Sequence, residues 1–179
     1  MKNKYYINKM SREKIISNID VYKSYWKNML TTNCYAYALG LDIPEHKICY
    51  NAYQPGIMST NHSLNIEEET FSYDDLINGI NNDFDFLRIE AHEVRSDYKA
   101  KEDEWKIALF VSSMILETQN IIDDYHFLKQ FPSGNWWHKF GFKGKIINID
   151  DNIEPIRDPI DCQLQGLIYD KTLCLKLKK

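Results

Sequence analysis

A cysteine at the head of a short helical stretch and two histidines far downstream have the types and spacing that could do chemistry. Cys34 lies in "TNCYAYALG", residues 32–40, and His126 and His138 lie in "DYHFLKQFPSGNWWHKFG", residues 124–141. A thiol at a helix start faces the amides of the first turn and the positive end of the helix dipole. Both favour the thiolate, so a lowered Cys34 pKa is expected. A histidine on a later strand then serves as base, and a further polar group holds that base in orientation. The chemistry this predicts is attack on an amide carbonyl by a cysteine hydrolase.

His126 and His138 stand 12 residues apart around a turn centred near Pro132. A tight hairpin with that centre puts them nearly opposite each other on one face, with Cβ atoms about 4.5–5.5 Å apart. One takes the thiol proton and the other orients its ring through the second nitrogen. Asp124 and Asp150 are the other candidates for the third role, although "DDNIEP", residues 150–155, reads more simply as a turn. Asn33 and Asn28 are candidates to support an oxyanion beside the Cys34 backbone N–H. A plainer reading stands against each: Cys34 as a small buried hydrophobe, the histidines as half-exposed strand residues, the asparagines as caps or surface polar groups. His46, His62 and His92 lie in polar stretches and read as solvated. A zinc site on Cys34, His126 and His138 would need a fourth ligand that no motif supplies, so no metal and no cofactor are expected. Of Trp136 and Trp137, alternation turns one with His138 and the other away; whichever stays out of the core is free to line a groove.

The elements that must position these groups follow from local pattern. Residues 10–30 read as one or two helical stretches. Thr31, Thr32 and Asn33 are three cap residues in a row, the helix runs over Cys34–Leu39, and Gly40 stops it. Residues 41–70 form the longest irregular stretch, in which "QPGIMS" is placed to wall a cleft. Residues 72–80 read as an amphipathic helix capped by Ser72, with Asp74 and Asp75 in its first turn. "FDFLRIE", residues 84–90, alternates with period two and reads as a strand. Residues 105–112 suit a central strand. Residues 125–131 and 135–139 flank "PSG" as a hairpin. Residues 145–149 continue the sheet, and "TLCLKL" supplies a last, half-exposed strand. Helices first and a mostly antiparallel sheet after them is an α+β order.

Composition bounds the rest. The chain has 179 residues, 44% hydrophobic and 13% aromatic, enough for one domain with a real core. A net charge of −4 and a pI near 5.7 argue against a nucleic-acid partner. No apolar run reaches the ~18 residues of a membrane span, and the N-terminus lacks the apolar core of a secretory signal. A cytoplasmic protein is expected, or one delivered as an effector or encoded by a phage or virus. Cys34, Cys49, Cys162 and Cys174 form no CxxC pair, and free thiols are expected.

"NCYAYALG", "QPG", "KIALFV", "DYHFLKQFPSGNWWHKFG" and "IEPIRDP" together resemble a group of bacterial and viral papain-like cysteine hydrolases close to the NlpC/P60 peptidases. The resemblance covers about residues 30–159. It implies a papain-like fold, a single domain over residues 1–179 with a helical extension over 1–30, and a Cys34–His126–His138 triad. The pattern departs at Trp137, where serine is usual, and at Phe140, where proline is common; the "DCSG" start of NlpC/P60 enzymes is absent. The expected function is hydrolysis of an amide bond in a peptide, isopeptide or related substrate, with deamidation and acyl transfer open to the same parts. The alternative is a non-catalytic binding module that retains the fold.

Overall fold

Asn33 starts the first helix, and its backbone shows why. Its φ of −85° and ψ of −175° are extended, and its Oδ1 accepts from the Ala36 N–H at 2.9 Å. Helix α1 (Cys34–Leu39) ends at Gly40, whose φ of 71° is left-handed and suits a residue without Cβ. All six residues of α1 are buried. So short a helix is not stable alone; packing holds it. The computed structural model describes residues 32–41, 54–60, 72–116, 119–141, 144–164, 169 and 171–179. The helical reading of residues 10–30, together with Asn28, Cys49, His46 and His62, lies outside them.

Helix α2 (Ile57–Thr60) packs on α3 (Tyr73–Leu87). Ser72 and Asp75 close a capping box at the α3 start. Leu76, Gly79, Ile80, Asp83, Phe84 and Leu87 form its buried stripe at helical spacing. The strand expected over residues 84–90 is therefore overturned. Phe84 and Phe86 fit a strand's alternation, but Phe84 and Leu87 continue a period-3.6 stripe begun at Leu76, and a fifteen-residue capped helix outweighs a short alternation. Arg88, at φ 59°, ends α3, and Glu90 opens β1.

Six strands follow: β1 (Glu90–Glu93), β2 (Glu104–Leu116), β3 (Gln119–Gln130), β4 (Trp136–Lys139), β5 (Ile146–Ile147) and β6 (Lys171–Lys178). They form one antiparallel sheet in the order β1-β6-β2-β3-β4-β5. The fold is α+β. β2 lies between β3 and β6, and residues 105–111 are buried throughout, as an internal strand covered on both faces requires. Ile107, Leu109, Phe127, Leu175 and Leu177 face α1 and α3. Ala108, Phe110, Leu128, Trp136 and Cys174 face the opposite way and are covered by Ile156 and Leu164. No helix among the described residues is long and apolar enough to cross a membrane.

Candidate active site

α1 is held against the middle of the sheet. The Trp105 indole N–H donates to the Ala38 carbonyl at 3.3 Å, and the Tyr35 and Phe127 rings meet at 4.9 Å. The Tyr35 hydroxyl donates to the Asp83 carboxylate at 3.1 Å. That carboxylate also accepts from the Gly56 N–H at 2.7 Å, the Ser59 N–H at 2.9 Å and the Ser59 hydroxyl at 3.0 Å. Fully buried Asp83 thus ties α1, α2 and α3 together. Tyr125 on β3 donates to Gln54, which brings the start of "QPGIMS" to the same side of the sheet as α1.

These contacts fix Cys34 at β3. Its sulfur accepts from the Phe127 backbone N–H, with the amides of Tyr35 and of Cys34 itself also acting on it. The β3–β4 register ends at Leu128↔His138, where one more step would set Phe127 against Lys139; the Phe127 amide is turned to the sulfur. Sγ therefore sits at the Phe127 amide on the α1 face, whereas the His126 ring follows Phe110 to the opposite face of the sheet. The thiol is 8% exposed, and its pKa is pushed up to about 11. Burial is the main cause, the Phe127 amide opposes it, and Asp124 adds to the rise. The lowered pKa expected from the helix start does not appear, because desolvation of the thiolate outweighs three amides. Burial also raises Cys174 to about 11 and Cys162 to about 12, and Cys34, Cys162 and Cys174 are free thiols.

The histidines meet, but not as opposite neighbours. The hairpin loop is Pro132–Ser133–Gly134, closed by the Phe131 N–H to the Asn135 carbonyl and the Gly134 N–H to the Phe131 carbonyl, with Gly134 at φ 88°. Its centre is Ser133 rather than Pro132, which moves the register by two residues. His138 pairs with Leu128 and lies diagonal to His126 on one face. Phe140 stacks on His126 at 5.6 Å and meets the His138 ring edge-on at 4.4 Å. The diagonal still brings His126 Nε2 within 3.0 Å of His138 Nδ1, and His138 Nε2 within 3.1 Å of the Ile149 oxygen.

That chain has one neutral proton arrangement. A carbonyl can only accept, so His138 Nε2–H donates to Ile149 and His138 Nδ1 is the acceptor. His126 Nε2–H donates to it, and His126 Nδ1 is left as the basic atom. Burial lowers the His126 pKa to about 3, helped by the charge of His138. Burial also lowers His138, opposed by the Ile149 bond and by Asp151. Both rings are neutral at pH 7.

Asn33 is placed as a cap, its carboxamide oxygen committed to Ala36 beside the Cys34 backbone. Asp150 accepts from the Asn152 and Glu154 amides, as a turn residue does; the preceding carbonyl, of Ile149, is the one that meets His138. Asp124 is half-buried on β3. Trp136 joins the core on the His138 side, and Trp137 is half-buried against Phe131 at 5.8 Å. His92 is exposed on β1. Among the described residues no three His, Cys, Asp or Glu side chains converge as a metal site would need. A cavity of about 810 Å³ opens at the other end of the hairpin, lined by Lys106, Gln130, Ser133 and Arg157.

Sequence reasoning missed three residues: Phe140, the Ile149 carbonyl and Lys139. The last was within reach, since strand alternation turns Lys139 away from the His138 side and toward α1. Comparison with protein-family models, with curated proteins and with solved structures returned no match.

Proposed function

We propose that the protein is a thiol hydrolase of papain-like type, acting on an amide bond in a peptide, isopeptide or related substrate. The observation that carries the reading is the directed chain from His126 through His138 to the Ile149 carbonyl. A buried imidazole pair held in one tautomer suits a base and the group that orients it. The proton the base would take is that of Cys34, which α1 holds on the opposite face of the sheet, so the two have to be brought together when substrate enters. Cys34 loses its proton to His126 Nδ1 and attacks the carbonyl carbon. The imidazolium returns the proton to the leaving nitrogen, and a thioester remains on Cys34. Water, deprotonated by the same nitrogen, then cleaves the thioester and frees the acid. His138 orients His126 and shares the charge it gains.

The resting pair is not a thiolate and an imidazolium. Cys34 near 11 and His126 near 3 lie about eight units apart, so proton transfer between them at rest costs about 11 kcal/mol. Substrate polar groups entering the site have to lower that gap. The same burial of Cys34 is what favours the second reading, a binding module without turnover.

Substrate trapping with Cys34→Ala and alkylation of Cys34 in histidine variants separate the two. His126→Ala is expected to abolish turnover as Cys34→Ala does. His138→Asn and His138→Gln keep part of it, since an amide can still accept the ring N–H, and His138→Ala falls below both. Wild-type reactivity of Cys34 in both His126→Ala and His138→Ala would leave the binding module standing.

A further inference from the structure

Lys139 is a second titratable group turned toward the nucleophile. It neighbours His138 on β4, so alternation sends its side chain to the face that carries α1, and α1 does pack against β4. It is fully buried, and its ammonium donates to the Gly141 carbonyl at 2.8 Å. A buried lysine is held in such a place by a charge it serves. The β3–β4 register ends at Leu128↔His138, one step short of Lys139 and of Phe127, whose N–H meets the Cys34 sulfur, and Cys34 acts electrostatically on the Lys139 amine.

We infer that Lys139 is the charge partner of Cys34 and forms a thiolate–ammonium pair with it. The inference deepens the thiol-hydrolase reading and rests on Cys34 being the nucleophile. The step moves a single proton: beside the Lys139 ammonium the thiol releases its proton to solvent and becomes the thiolate, with no other bond made or broken. The energetics fit. Burial lowers Lys139 to about 8, and Cys34 acts on it in the opposite sense. Lys139 is therefore still largely ammonium at pH 7, where His126 is neutral, so Lys139 is the group able to supply the positive charge. The other groups that act on Cys34 do not supply this charge. Asp124 of β3 opposes a thiolate, Tyr125 and Tyr169 sense the sulfur as a like charge, and Tyr35 is committed to Asp83 of α3. His126 then serves as the base for the water that cleaves the thioester.

The test is iodoacetamide labelling of Cys34 between pH 6 and 11 in the full chain, read by peptide mass spectrometry. A cation at close range lowers an acid's pKa by about 1–3 units, so Lys139→Met should move the labelling midpoint up by about that much. Lys139→Arg should keep the wild-type midpoint or lie below it. A Lys139→Met profile that coincides with wild type overturns the inference, as does Lys139→Arg shifting as far as Lys139→Met. Should Lys139→Met fail to fold, the pairing is read from the other side, by NMR titration of ¹³Cε-labelled lysine. Cys34→Ala should lower the Lys139 midpoint, and an unchanged midpoint overturns the pair. None of these readouts needs turnover, so they can fail while Cys34→Ala still abolishes hydrolysis, or hold while it does not.

Discussion

The buried imidazole of His126 should make the native state acid-labile in a way that one substitution removes. Its pKa falls from 6.5 to about 3 on folding. Between those values the unfolded chain binds a proton that the native state does not, so stability rises with pH across the window and is lost as pH falls through it. The gap of about 3.5 units corresponds to about 5 kcal/mol at 1.36 kcal/mol per unit, as an upper bound. That is comparable to the whole stability of many small domains. Urea unfolding at pH 7, 6, 5 and 4.5 measures it in wild type and His126→Gln. The variant loses stability at pH 7 because the bond to His138 changes, but its slope with pH is the informative quantity. Carboxylates contribute to both slopes, and the difference isolates the histidine. Below pH 6 wild type should lose about 1.4 kcal/mol per pH unit more than His126→Gln. Equal slopes would refute the buried, neutral histidine. A His126 Cε1 proton that titrates near 6.5 by NMR would refute it as directly.

Two further outcomes follow from the contacts that set α1 and the hairpin. Asp83→Ala strands the Tyr35 hydroxyl, the Gly56 amide and the Ser59 amide in the interior, and at about 1–3 kcal/mol for each buried orphan it should cost about 3 kcal/mol or more in urea unfolding. Gly134→Ala meets no atom within 4 Å of the new Cβ, so only the positive φ is penalised, and its loss should stay near about 1 kcal/mol in the same measurement.

Much of the fold is legible residue by residue where local and tertiary preferences agree. Asn33, the small buried helix and Gly40 state a beginning, a middle and an end, and the structure has all three. The run over residues 105–112 is central because, Lys106 and Ser112 apart, its side chains are apolar, and all of it is buried. Legibility fails where one pattern fits two periods. Phe84 and Phe86 alternate about Asp85, and only the stripe from Leu76 to Phe84 and Leu87 shows that the period is 3.6. The β1 strand is equally hidden, since "EAHE" is polar and exposed and gains its place by pairing with β6.

The site was legible as types and partly as geometry, and its electrostatics were not legible at all. A turn one residue off centre changes a cross-strand pair from opposite to diagonal. That shift has a chemical consequence. In the diagonal arrangement Phe140 stacks on His126 and meets His138 edge-on. The enclosure that fixes the tautomers also strips away water, and loss of water drives the base down and the thiol up together. A helix start says which charge its amides prefer, but three amides cannot replace a hydration shell. A site built this way stays neutral at rest and needs a counter-charge within the protein before its sulfur can ionise. The buried ammonium of Lys139, on the face of β4 turned toward α1, is the counter-charge we propose for it.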